Sequence, residues 1–368
     1  MAFIEINRVR VSGFSAGVPK ATYNNMDFAE KVGEDYDMKA FVESTGVLNH
    51  RGDATLCASD LGVPAAEQLI ADLGWEKKSI EAVIFVSQSP DYILPATACI
   101  IQNRLGLSKE CYATDISLGC SGWVYGLSTA ASLVSNGHGG SLRRALLIAG
   151  DSKQRVDMIS PLFGAACTVT ALEYDETAQP LQFHFGTDGS GYDAIIIPDG
   201  GCRNGITKES VDKVQVEGSE MTRLDTYMNG MDVFAFGIST APKSIKKLGE
   251  HFGFDYLDHD YFVFHQANLK MNAQITKKLK MPDEKVPYSL HDFGNTSSAS
   301  IPLTIATQLK DVLTEKPARL LCCGFGVGLS WGTVSFQTDG IVISELVEVD
   351  SLTEEEQNQW FKLPIDPA

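Results

Sequence analysis

Ala82-Val83-Ile84-Phe85-Val86 is an apolar run with no polar face to turn toward water. A run so short and so rich in β-branched and aromatic residues predicts a strand covered on both sides. The alternation that follows it constrains the fold most. A helix entered at Pro95 places Ala98, Ile101 and Leu105 on one face. Residues 111–116 predict a strand, 124–136 a small-residue helix and 145–151 another buried strand. The second half repeats the rhythm with helix 232–251, strand 261–264, helix 268–279, helix 301–313 and buried strand 319–323. Such alternation predicts an α/β protein with mostly parallel sheets between layers of helices.

A chain of 368 residues suits two sub-domains better than one core. The expected halves are 1–178 and 179–338. They are joined near 182–207, where Gly186, Gly189, Gly191, Gly200, Gly201 and Gly205 make the chain loop-rich. Residues 339–368 form an acidic extension carrying Glu345, Glu348, Asp350, Glu354, Glu355 and Glu356, expected to be a docked surface tail. With 44% hydrophobic and 21% charged residues, the composition is that of a soluble globular protein. The N-terminus lacks a signal peptide's apolar core and no run reaches membrane-spanning length, so a cytoplasmic location without membrane contact is expected. The net charge of −17 argues against nucleic acid and anionic lipid as partners.

The 8 cysteines are unevenly spaced and form no CxxC pair, which suggests reduced thiols. A free cysteine is ordinarily a small core hydrophobe. Cys57, Cys99, Cys167, Cys322 and Cys323, set among Ala, Leu, Ile and Val, are read that way. Cys120 differs. In Asp115-Ile116-Ser117-Leu118-Gly119-Cys120-Ser121-Gly122-Trp123 it sits between glycines at a strand-to-helix corner, where the helix dipole favours a thiolate. Locally, core packing and catalysis both remain open. Far downstream lie His265, in Phe262-Val263-Phe264-His265-Gln266-Ala267-Asn268, and Asn295, in Gly294-Asn295-Thr296-Ser297. With Cys120 they suggest a Cys-His-Asn acyl-transfer site. The ordinary alternatives are a satisfied core histidine and a turn asparagine. No metal-ligand spacing appears among the seven histidines, so no metal is expected. Gly324-Phe325-Gly326-Val327-Gly328 lacks the strand position and later acid of a dinucleotide site.

Four segments, in order and spacing, resemble the β-ketoacyl-acyl-carrier-protein synthase III family of the thiolase superfamily. They are the Cys120 corner, His265-Gln266-Ala267-Asn268-Leu269, Gly294-Asn295-Thr296-Ser297 and Gly326-Val327-Gly328-Leu329-Ser330-Trp331-Gly332. The resemblance runs to about Phe336 and implies a five-layer αβαβα fold of two similar halves. It also implies Cys120 as the acylated nucleophile and His265 and Asn295 as donors to the oxygen of a decarboxylating malonyl thioester. The backbone of Cys120, Val327 and Gly328 would receive the acyl oxyanion. Leu94 would reach the acyl pocket of a dimer partner. Lys270 and Lys277, two turns apart on one predicted helix, would dock an acyl carrier protein, although a lysine run ordinarily marks a solvated face. Acyl and malonyl thioesters are the implied substrates, fatty acid biosynthesis the implied setting, a homodimer the implied assembly, and no cofactor is called for.

The chain departs from the family where coenzyme A would bind. Ahead of Thr45-Gly46, the positions of an adenine-stacking tryptophan and an arginine read Ala40 and Ser44. A further arginine position falls near Asp157, and one basic docking position reads Ala235. Coenzyme A donors are therefore uncertain. The alternative chemistry passes the acyl group from Cys120 to an alcohol or amine without decarboxylation.

Overall fold

The computed structural model describes residues 2–27, 37–136, 142–152, 161–216 and 219–357. The strands of its two large sheets are β1 (Ala2–Ile6), β2 (Val9–Pro19), β3 (Ala82–Val86), β4 (Tyr112–Ile116), β5 (Arg144–Asp151), β6 (Ala166–Tyr174), β7 (Leu181–Thr187), β8 (Tyr261–Phe264), β9 (Ala318–Gly326), β10 (Ser330–Thr338), β11 (Val342–Ile343) and β12 (Val347–Val349). The helices that cover them are α1 (Met38–Thr45), α2 (Ala58–Asp72), α3 (Thr97–Arg104), α4 (Gly122–Ser135), α5 (Gly230–Phe252), α6 (Leu269–Leu279), α7 (Ser300–Gln308) and α8 (Lys310–Glu315).

The first sheet runs β11-β2-β6-β5-β3-β4, with β12 also pairing β2, and the second runs β1-β7-β10-β9-β8. Between them lie α4 and α7. Helices α2 and α3 cover the outer face of the first sheet, and α5 and α6 that of the second. This is the αβαβα stack. The middle layer explains the composition of α4, Gly-Trp-Val-Tyr-Gly-Leu-Ser-Thr-Ala-Ala-Ser-Leu-Val-Ser. A helix pressed between two sheets must be apolar nearly all round. Trp123 is fully buried there among Phe14 and Phe336. Its Nε1–H donates to Thr170 Oγ1 at 3.0 Å, so its one polar atom is satisfied.

Mostly parallel sheets were expected; both sheets are mixed. β3 pairs in parallel with β4 and β5, but β5–β6 and β2–β6 are antiparallel. In the second sheet only β8–β9 is parallel. Between β9 and β10 there are only three residues, and so tight a connection can join only antiparallel strands. The stretch 182–207 is also less loop-like than expected. It opens within β7, an inner strand whose Phe183 and Phe185 point into the inter-sheet core. Its glycines obscured this period-2 pattern. The helix expected over 301–313 is divided at Leu309, which leaves helical backbone values (φ −117°, ψ 5°). Residues beyond Asp339 return to the first half, where β11 and β12 lie parallel to β2.

Candidate active site

The turn after β4 carries Cys120 to the start of α4. Ser121 ties that start to the β9–β10 turn through a 2.7 Å contact between its Oγ and Ser330 Oγ, and Ser330 Oγ donates to the Val327 carbonyl at 2.7 Å. Gly326 faces the cysteine so closely that a Cβ built there would stand 2.9 Å from Sγ. Only glycine allows that approach.

From the second half, β8 ends at Phe264 and delivers His265, whose N–H donates to the Cys323 carbonyl at 2.9 Å. The imidazole is buried edge-on to Phe325, with Nδ1 2.8 Å from Ser300 Oγ. Asn295 is held by a segment of the first half. Its N–H donates to the Leu162 carbonyl at 2.8 Å, and its carbonyl accepts from Gly164 N–H at 3.1 Å. The preceding Gly294 takes φ +66°, a left-handed value suited to glycine. Asn295 Oδ1 accepts from the Ser297 N–H at 2.9 Å, which orients the amide so that Nδ2 faces the opposite way.

Ser297 joins the three. Its N–H meets Asn295, its hydroxyl meets the Cys120 thiol, and its backbone meets the His265 ring. It does so with φ +52°, an uncommon conformation for a residue with a side chain. The structure thus assembles Cys120, His265 and Asn295 around one strained serine.

Electrostatics here differ from the sequence expectation. Burial, then the charge of Asp151, push the Cys120 thiol up to about 11. The Val327 N–H, the Ser297 hydroxyl and the cysteine's own N–H pull the other way and do not prevail. The helix start therefore does not yield a thiolate at neutral pH, because desolvation penalises the charge more than nearby dipoles favour it. Burial likewise lowers His265 to about 3, with the Ser297 backbone opposing. These shifts favour a neutral thiol and a neutral imidazole at pH 7.

The remaining residues fall in varied places. The Val327 N–H reaches the thiol, and Gly328 follows it at φ +137°. Leu94 is 79% exposed on its own chain, beside an Ile93 that is 90% exposed. Lys270 and Lys277 are exposed on α6, whose N-terminus is capped by Asn268 through Met271 N–H at 2.8 Å. Ala40, Ser44 and Ala235 are exposed, while Asp157 lies outside the described residues. Two cysteines depart from the core reading: Cys99 is exposed and Cys57 only half-buried. Cys99 faces water because α3 buries only one side, through Thr97, Ala98 and Ile101. Sequence reasoning missed Ser297, Ser300 and Asp151. Only Asp151 carried a signal, a charge at the carboxyl end of a buried strand, where ligands gather in α/β sheets. Among the described residues, no cluster of His, Cys, Asp or Glu could hold a metal, and no helix is long and apolar enough to cross a membrane.

Comparisons with known proteins bear on the family and the fold. A family model described as 3-oxoacyl-(acyl-carrier-protein) synthase III matches residues 114–189, and the model for that family's C-terminal part matches 250–338. A putative 3-oxoacyl-(acyl-carrier-protein) synthase 3 of Campylobacter jejuni is 34% identical over 340 residues, covering 89% of this chain and 93% of that protein. The β-ketoacyl-(acyl-carrier-protein) synthase III of Clostridium acetobutylicum is 29% identical over 334 residues, covering 89% and 98%. The crystal structure of a 3-oxoacyl-(acyl-carrier-protein) synthase from Burkholderia xenovorans superposes with a TM-score of 0.86 at 36% identity, covering 95% of this chain and 99% of that one.

Proposed function

The chain belongs to the 3-oxoacyl-(acyl-carrier-protein) synthase III family, and from that membership we propose that it condenses an acyl group held on Cys120 with a malonyl-acyl-carrier-protein. The observation that carries the reading is the convergence of Cys120, His265 and Asn295 on Ser297. In the first stage the Cys120 sulfur attacks the acyl thioester, and the thiol proton ends on the departing thiol. The Cys120 N–H and the Val327–Gly328 turn receive the oxygen of the tetrahedral intermediate. In the second stage the malonyl thioester loses carbon dioxide. The resulting enolate carbon attacks the acyl-Cys120 carbonyl, the C–S bond breaks, a β-ketoacyl thioester leaves, and the released Cys120 sulfur takes up a proton from solvent to restore the thiol.

His265 and Asn295 serve the second stage. We assign His265 the neutral tautomer in which Nδ1 accepts from the Ser300 hydroxyl across 2.8 Å and Nε2 carries the proton as a donor, while the Asn295 amide presents Nδ2–H. Both can stabilise the enolate oxygen without exchanging a proton. The exposed Ile93-Leu94 tip supports a homodimer in which Leu94 closes the partner's acyl pocket. Lys270 and Lys277 suit an acidic carrier protein, and the setting is cytoplasmic fatty acid or related acyl synthesis.

The test is intact-mass measurement after incubation with acyl donors, followed by trapping of carbon dioxide from malonyl-carrier protein. Cys120→Ala should gain no acyl mass. Acylation of that variant, or acyl transfer to an alcohol or amine with no carbon dioxide released, overturns the reading.

A further inference from the structure

One carboxylate beside the nucleophile has no part in the condensation chemistry. Asp151 ends β5, and its two oxygens reach into different halves of the molecule. Oδ1 accepts from the Gln88 N–H at 2.7 Å, the Ser87 hydroxyl at 3.0 Å and the Ser89 hydroxyl at 3.2 Å. Oδ2 accepts from the Ser298 hydroxyl at 3.0 Å and, more weakly, the Ser298 N–H at 3.5 Å. Residues 87–89 leave β3 and support the nucleophile turn, since a Cβ built on Gly119 would stand 2.3 Å from Gln88 Oε1. Ser298 adjoins Ser297, which touches Cys120, His265 and Asn295.

We propose that Asp151 is the positioning residue of this centre, a clamp that holds the Cys120 turn of the first half in register with the 295–298 loop of the second. An acceptor-only group is what this place requires, because donors converge on it from both sides. Activation of the thiol does not account for it. Among the charged groups described, Asp151 is the one whose field acts on Cys120, and it acts to keep the proton on sulfur. The carboxylate therefore works against thiolate formation while it holds the site together. The inference rests on the condensing reading for its effect on turnover, while the clamp itself rests on the contacts alone.

Those opposed effects give the test. Turnover is measured as carbon dioxide release from malonyl-carrier protein with a pre-acylated enzyme. The Cys120 environment is measured separately, as the pH profile of its alkylation by iodoacetamide, read on the Cys120 peptide by mass spectrometry. Asp151→Ala should lower turnover by about 10²-fold, as a small misplacement of reacting groups does. Asp151→Asn retains one carbonyl acceptor and should lose less. In both, the alkylation profile should move to lower pH, which a merely structural role would not cause. Ser298→Ala opens one arm and keeps the charge, so turnover should fall while the profile stays in place. If Asp151→Ala does not fold, the Asn and Ser298 variants carry the comparison. Wild-type turnover in the Asp151 variants, or lost turnover with an unmoved alkylation profile, overturns the proposal. Absence of carbon dioxide release from the wild-type enzyme would instead overturn the condensing reading, and the alkylation profile would still report on Asp151.

Discussion

At the residue scale, burial does more than any neighbouring charge. It leaves both the Cys120 thiol and the His265 imidazole neutral at physiological pH. Their division of labour then follows from hydrogen-bond geometry. On the proposed reading His265 and Asn295 are donors for the enolate stage, so His265→Ala and Asn295→Ala should each slow decarboxylation by about 10²–10³-fold and acylation of Cys120 far less. Single-turnover acylation followed by carbon dioxide trapping separates the stages, and equal loss of both would point to thiol activation instead. Burial also sets a pH limit on the fold. It lowers His50, His184 and His259 to about 4, as it lowers His265 to about 3. Each folded value lies below the unfolded one, so the unfolded chain binds more protons in between. The associated stability is fully present above about pH 6.5 and is lost as the pH falls toward 4, at up to ~1.4 kcal/mol per pH unit for each histidine. Thermal melts at constant ionic strength from pH 8 to pH 5 should show Tm falling below pH 6.5, whereas a flat profile would contradict neutral burial of these rings.

Among the elements, the segment after Asp339 shows how composition can hide an edge strand. Its acidic residues suggest a tail docked on the surface, and the docking goes further than that: Ile341 and Ile343 are buried and two short strands extend the first sheet. The apolar alternation was present in the sequence and was masked by the charges around it. The charges themselves make surface pairs: Lys20–Asp350 at 2.8 Å, Lys310–Glu345, and the better shielded Arg51–Glu348 at 2.8 Å. Exposed pairs contribute little, whereas burying two isoleucines contributes on the order of 3–6 kcal/mol. Truncation after Asp339 should therefore lower Tm by at least ~5 °C, and Asp350→Ala should stay within about 0.5 kcal/mol of wild type. An unchanged Tm on truncation would mean that the extension only decorates the sheet. Periodicity did locate β3, β5, β8 and α4–α6, because each is long or uniformly apolar. It could not show strand direction, which is decided by connections such as the β9–β10 turn, nor Ser297 and Ser300, whose roles exist only once the two halves meet.

For the whole molecule, the governing fact is charge. A chain of net charge −17 that is proposed to receive an acidic carrier protein would need a local reversal of sign. Helices α5 and α6 pack together on the outer face of the second sheet and expose Lys243, Lys246 and Lys247 on one, Lys270, Lys277 and Lys278 on the other. The beginning of α6 lies against the end of α1, where Leu269 packs on Gly46. The basic face thus borders the place where relatives that use coenzyme A are expected to hold its adenine. Here that place offers Ala40 and Ser44, both exposed and uncharged. Losing an aromatic stack and a charge-assisted phosphate contact costs on the order of 10²-fold in affinity, while the lysines remain for a carrier protein. An acyl-carrier protein is therefore expected to acylate Cys120 faster than the matched acyl-CoA. Its advantage should shrink with added salt, and Lys270→Glu or Lys277→Glu should slow the carrier reaction without slowing that of the coenzyme A ester. Acylation rates from the two donors, read by intact mass, decide the matter. Equal or faster acylation from acetyl-CoA, indifferent to both charge reversals, would show that the exposed lysines are only a solvated helix face and that Ala40 and Ser44 do not disfavour the coenzyme.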